Sequence, residues 1–214
     1  MLLYGESQME IQHKTENLDN QVYSIIKEKI IKSEFVQGEV LNISAIAQQL
    51  NVSRTPIMYA FKKLEAEDIV KIIPKVGVLV KVMSLIDVKN IYELRTAIET
   101  YAGNKAIDLL TNDEIALLKD TLEKQKEHKN DHQKFWEEDK KFHMLIVKTL
   151  GNRLLESSLK DIFDKSIGFA AEKTQNKLSD AIVGHEQILK YLCEKNKEGL
   201  IRELEQHIMM IRFL

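Results

Sequence analysis

Residues 41–80 read LNISAIAQQLNVSRTPIMYAFKKLEAEDIVKIIPKVGVLV, and their punctuation sets the architecture of the first part of the chain. Asn42 stands where a helix N-cap belongs, ahead of Ile43, Ile46, Ala47 and Leu50 at helical spacing, and Asn51 ends that run. Ser53 is expected to cap a further helix. Pro56 falls in its first turn, where a missing N–H is tolerated, and Ile57, Ala60, Phe61 and Leu64 form its inward stripe. The opposite face carries Arg54, Thr55, Met58, Tyr59 and Lys62. Val70–Ile73 and Val76–Val82 read as two strands joined through Pro74-Lys75 and Gly77. Upstream, Val22, Ile25, Ile26 and Ile30 predict a first helix over about residues 19–33. Helix, helix, short turn, helix and hairpin make a winged helix-turn-helix.

In such a unit a rigid helix with polar residues at its N-terminal end fits the major groove of DNA, and Lys75 would sit on the wing. Three helices and a hairpin also suit a structural or protein-binding domain, and pattern alone leaves that alternative open. Charge decides little. The whole chain carries a net charge of −2, and residues 20–84 hold nine Lys/Arg against six Asp/Glu, which is only mildly basic.

The 214 residues suit two modest domains, and two prolines with eight glycines favour a mainly α protein. Residues 1–19 show no periodicity and read as a flexible acidic lead-in; residues 20–83 form the winged unit; residues 84–214 form an all-α bundle. No apolar run is long enough for a membrane span, and Met1 to Gly5 is too short and uncharged for a secretory signal, so a cytoplasmic protein is expected. The single cysteine, Cys193, is expected to pack inside a helix.

Breaks near Thr111-Asn112, Lys129-Asn130, Gly151-Asn152, Lys177 to Ser179 and Asn196 divide the second part into about six helices. Ile91, Leu94, Ile98, Tyr101 and Ala102 give the first an apolar face, and Ile115, Leu118 and Leu122 give the second one. Polar residues interrupt later stripes. Asp139 and His143 lie one turn apart among Phe135, Phe142, Ile146 and Leu150; His185 accompanies Ile182, Ile188, Leu189 and Leu192; His207 accompanies Leu204, Ile208 and Ile211. His128 and His132, in the polar run 123–134, are expected in solvent, and His13 lies in the lead-in. One carboxylate and three imidazoles suit a borderline divalent cation, while hydrogen-bonded core histidines would produce the same pattern. A metal-dependent hydrolase is disfavoured: His185-Glu186 opens like a zincin motif, but Leu189 stands where its second histidine belongs.

Leu41 to Val80, above all Leu50 to Pro56, then Leu64 to Asp68 and Gly77, resembles the DNA-binding domain of GntR-family regulators. The resemblance implies DNA contacts from Ser53, Arg54 and Thr55 and a wing turned at Gly77. Met58, and Ser44 in the second helix, stand where the family tends to carry basic residues, which implies weaker phosphate binding and altered base reading. Glu138 to His143, Gly151-Asn152, Gly184-His185 and Glu205 to His207 are similar to the helical effector domain of the FadR-type branch. That likeness implies a divalent metal held by Asp139, His143, His185 and His207, with zinc expected first and nickel or manganese as alternatives. It also implies a small organic acid as effector. Arg95 could meet that anion bidentately, or could pair with Glu99 one turn away. The whole is expected to be a homodimeric repressor on a pseudo-palindromic double-stranded DNA operator, with a metal sensor lacking any organic effector as the alternative.

Overall fold

The structure is a computed structural model and describes residues 17–173 and 178–210. Most of the expected lead-in, with His13, therefore lies outside the described residues, as does Lys177 of the expected break from Lys177 to Ser179. Two units follow along the chain, residues 1–82 and 83–214.

In the first unit α1 spans Leu18–Ile31, α2 Ile43–Gln49 and α3 Arg54–Ala66. Asn17, within the expected lead-in, caps α1, so order begins earlier than periodicity indicated. Asn42 caps α2 by accepting from the Ser44 and Ala45 amides at 2.9 and 3.1 Å. Ser53 holds the N-cap position of α3 in extended geometry, yet its side chain makes no capping bond. Ser53 thus takes the expected N-cap position without the expected bond; Pro56 at the third helical position has no N–H to give, which leaves Thr55 as the one amide the hydroxyl could have engaged. The hydroxyl and the first amides of α3 are thus left for an outside acceptor.

A three-stranded antiparallel sheet in the order β1-β3-β2 closes the unit, with β1 Val40–Leu41, β2 Val70–Ile73 and β3 Gly77–Val80. The third strand is shorter than the 76–82 expected, and β1, two residues long, is too brief to show any alternation in sequence. Gly77 has φ +148°, and a Cβ there would meet the Leu41 carbonyl oxygen at 2.6 Å, so glycine is what lets β1 lie against β3. The tip itself is a turn in which the Val76 amide donates to the Ile73 carbonyl, with Lys75 at φ +64° in its third position. Behind the sheet, Val22, Ile26, Ile57, Ala60, Phe61 and Leu64 are fully buried. Tyr23 on α1 donates to Glu67 at 2.5 Å, and the Lys63 ammonium sits 3.7 Å from the Tyr23 ring centre, tying α1 to the end of α3.

The second unit is helical throughout its described residues: α4 Leu85–Leu109, α5 Asn112–Glu127, α6 His132–Lys148, α7 Arg153–Lys173, α8 Leu178–Glu194 and α9 Lys197–Met210. Capping boxes start α4 (Ser84 with Asp87) and α5 (Thr111 with Glu114), and Asp131 caps α6. α4 packs on α6, α7 and α9, and α5 packs on α6 and α8.

Two expectations fail here. Leu94 and Tyr101 on α4 are 49% and 53% exposed, while Val88, Tyr92, Arg95, Ile98, Glu99 and Ala102 turn inward. Apolar residues occur on both sides of α4, so periodicity could not choose the face, and the mutual pairing of Arg95 and Glu99 makes their side buriable. Cys193 is exposed, because His185, Ile188 and Leu192 set the buried stripe of α8 and Cys193 stands one residue past it.

A left-handed backbone at a residue with a Cβ stores about 1–2 kcal/mol, so Lys75→Gly is expected to stabilise the first unit by about 0.5–1 kcal/mol after glycine's entropic cost. Hydrogen exchange of the α3 and β3 amides would read this as slower exchange.

Candidate functional site

Asp139 and His143 project from one face of α6, His185 from the middle of α8 and His207 from the last turn of α9. Each is buried, at 2%, 1%, 0% and 1% exposure respectively. Their ligand atoms lie within 4.8 Å of one another. The three imidazoles meet by the same nitrogen: His143 Nε2 stands 3.0 Å from His185 Nε2 and 3.2 Å from His207 Nε2. Asp139 faces this focus, 3.6 Å from His185 Nε2 and 3.9 Å from His143 Nε2.

The outward nitrogens decide what the inner ones offer. His143 Nδ1 lies 2.5 Å from Glu99 Oε2, an ion-pair contact without good hydrogen-bond alignment, and His185 Nδ1 lies 2.7 Å from Gln125 Oε1. Both neighbours are acceptors, so in the neutral form each Nδ1 carries the proton and each Nε2 turns its lone pair toward the focus. Lone pairs 3.0 Å apart repel, and a shared cation is what turns them into ligands. Nitrogens about 2.0–2.1 Å from a zinc ion are themselves separated by roughly 3.0–3.4 Å, depending on coordination number. The residues present therefore fit a divalent cation of borderline softness.

Charge in this interior is strongly biased. Burial alone would raise the Glu99 carboxyl, but the Arg95 guanidinium and the His143 imidazole hold it at about 2. Arg95 Nε donates to Glu99 Oε1 at 2.8 Å, so the alternative of pairing one turn away is what the structure shows. Its Nη2 is nevertheless buried without a hydrogen-bond partner, and the guanidinium lies 4.2 Å from the Phe163 ring centre. Burial raises Asp139, and burial first, then neighbouring positive charge, pushes His185 and His207 well below their ordinary 6.5.

Three contributors escaped the reading of the sequence. Gln125 sits in the charged run 123–134 but is fully buried, and its place one turn below Thr121 and Leu122 on the inward side of α5 was the available signal. Glu99 was visible only as a partner for Arg95. Gly184 lies against the His207 ring: a Cβ there would stand 2.2 Å from His207 Nδ1. His128 and His132, both expected in solvent, are only partly exposed, and Nδ1 of His132 is buried. A surface groove between α5, α6 and α7, walled by Leu117, Met144 and Lys148 among others, includes none of the four converging residues.

In the first unit, Ser53, Arg54, Thr55, Tyr59 and Lys62 are exposed along one side of α3, opposite buried Pro56, Ile57, Ala60, Phe61 and Leu64. Met58 is half-buried between them. Lys75 is exposed at the tip of the hairpin, and Gly77 is half-buried at its base.

Gly184→Ala should displace His207 and abolish uptake of added zinc. A helical Gly→Ala change ordinarily stabilises by about 1 kcal/mol, so an expected loss of about 1–3 kcal/mol in chemical denaturation isolates the steric effect. A second expectation concerns pH. The unfolded chain protonates its histidines below about 6.5, whereas folded His185 and His207 stay neutral. Stability of the metal-free protein should accordingly be full above that pH and decline as pH falls below it; a flat profile from pH 7 to 5 would refute the buried neutral imidazoles.

The FCD domain model matches residues 90–209, and that of bacterial regulatory proteins of the gntR family matches residues 18–80. The chain is 25% identical over 197 residues to the uncharacterized HTH-type transcriptional regulator YdhC of Bacillus subtilis (strain 168), covering 88% of this chain and 85% of that protein. It is 24% identical over 193 residues to the gluconate operon transcriptional repressor of Bacillus licheniformis, covering 85% and 78%. Among solved structures, E. coli McbR/YncC shares the fold with a TM-score of 0.79 at 21% identity, over 92% of this chain and 95% of that one. No described helix is long and apolar enough to cross a membrane. The relatives are regulators, which sets the hydrolase alternative aside. With its two matched domains in this order, the chain belongs to the gntR family of bacterial regulatory proteins with an FCD domain: it is a DNA-binding transcription regulator.

Proposed function

We propose that this regulator is a cytoplasmic, homodimeric repressor whose helical unit holds a divalent cation at Asp139, His143, His185 and His207 and responds to a small carboxylate. The convergence of three Nε2 atoms and one carboxylate in a sealed interior carries this reading. Zinc suits the donor set first, with nickel or manganese next. When bound, such an ion supplies positive charge and open coordination positions for an anionic oxygen.

Arg95 supports an organic effector over a cation-only sensor. Its Nη2 is a buried donor without a partner among the described residues, and a carboxylate is the acceptor that would satisfy it. Repression agrees with the gluconate operon repressor among the relatives. Leu94 and Tyr101, an exposed apolar pair two turns apart on α4, support association with a second copy. Paired chains would place two α3 helices on a pseudo-palindromic operator.

On the DNA side, Ser53, Arg54 and Thr55 at the start of α3 would meet phosphates and base edges, with Tyr59 and Lys62 farther along the helix and Lys75 with Gly77 on the wing. Effector binding can shift operator occupancy only by its difference in affinity for the DNA-competent and incompetent arrangements, about 1–3 kcal/mol in typical regulators.

Two substitutions separate these roles. Arg54→Ala should weaken operator binding and lower its salt dependence by about one counterion while metal content is unchanged. His143→Ala should lose the metal and leave operator binding by the metal-free protein intact. Unchanged operator affinity in the Arg54 variant would overturn the assignment of α3. Elemental analysis finding no metal in native protein, even after addition of zinc, nickel or manganese, would overturn the cation site.

A further inference from the structure

Gln125 is a polar residue that α5 turns fully into the core, while Glu123, Lys124 and Glu127 around it remain exposed. Its amide touches two of the four converging residues, which come from two other helices. Gln125 Oε1 lies 2.7 Å from His185 Nδ1, and Gln125 Nε2 donates to Asp139 Oδ1 at 3.2 Å. The chemistry of the partners fixes which way this amide faces. The NH2 group lies against Asp139 Oδ1, and it is the only face of the amide that can donate to a carboxylate oxygen. The carbonyl oxygen then faces His185, and because it too only accepts, the His185 proton must sit on Nδ1. The lone pair is thereby delivered to Nε2, 3.0 Å from His143 Nε2.

We infer that Gln125 is the positioning residue of this site, one amide that sets the tautomer of His185 and the rotation of the Asp139 carboxylate together. Its consequence for metal rests on the cation reading above; its effect on the tautomer does not. Gln125 itself offers no atom to the focus and acts through the two residues it holds. Both partners are buried, so a bond lost here is not replaced by bulk water. A neutral side chain also matters, because a second carboxylate here would add negative charge beside Asp139.

The test compares Gln125→Leu, which fills similar volume without hydrogen bonds, with Gln125→Glu, which keeps an acceptor for His185. Long-range 1H–15N spectra of the imidazoles in metal-free protein report the tautomer, and competition with a chromophoric chelator reports zinc affinity. Wild type and Gln125→Glu should show His185 protonated on Nδ1. Gln125→Leu should shift it toward Nε2–H and bind zinc about 10- to 100-fold more weakly, the usual loss on removing an outer partner of a metal ligand. If Gln125→Leu keeps both the tautomer and the zinc affinity of wild type, Gln125 is ordinary core packing, even should stability fall. If Gln125→Leu does not fold, the Glu variant still decides, since an Nε2–H tautomer there contradicts the inference. If wild type takes up no zinc, the cation reading fails, and the tautomer comparison alone judges Gln125.

Discussion

Two carboxylates, Asp139 and Glu99, are buried with one guanidinium, Arg95, and the imidazoles of His185 and His207 are held neutral by the same burial. A helical bundle cannot leave such an inventory unbalanced, because an uncompensated charge in its interior costs on the order of several kcal/mol even after relaxation. The remaining arrangement follows from that constraint. Arg95 is drawn to Glu99, Glu99 to His143, and Gln125 to both Asp139 and His185. Arg95 Nη2 is left without a hydrogen-bond partner, and the three Nε2 atoms face one another beside Asp139, which are the two places in this interior suited to an anion and a cation.

The two units answer different physics. In the first, the residues assigned to DNA are exposed and sit on a rigid scaffold of apolar contacts, so their contribution should be electrostatic and weakened by salt. In the second, the polar residues are sealed from solvent, so proton competition and coordination dominate there. On the proposed reading, a single chain thereby carries one surface sensitive to ionic strength and one interior sensitive to pH and metal supply.

Much of this was legible in the sequence wherever a residue contradicted its surroundings. Asp139, His143, His185 and His207 interrupt apolar stripes, and a polar side chain on a buried face must have a reason. Gln125 was hidden because it lies among charged residues, where one buried amide is no contradiction. Gly184 was hidden because its role is a distance between α8 and a ring on α9, which no local pattern encodes. Leu94 and Tyr101 misled for the converse reason: apolar residues mark a face only when the helix has one apolar face, and α4 has two. Ser53 occupies the cap position its residue type favours, but makes no capping bond, and Pro56 withholds one of the two amides it could have used.

The order of the elements along the chain has its own implication for biogenesis. All of α1 to β3 precedes residue 82, whereas the four converging side chains are spread from 139 to 207, with His207 in the final described helix. A ribosome therefore releases the whole DNA-reading unit before any of these four residues is made, and domains generally fold as they emerge. The nascent regulator would hold a folded DNA-reading unit before His207 on α9 completes the set of four converging side chains.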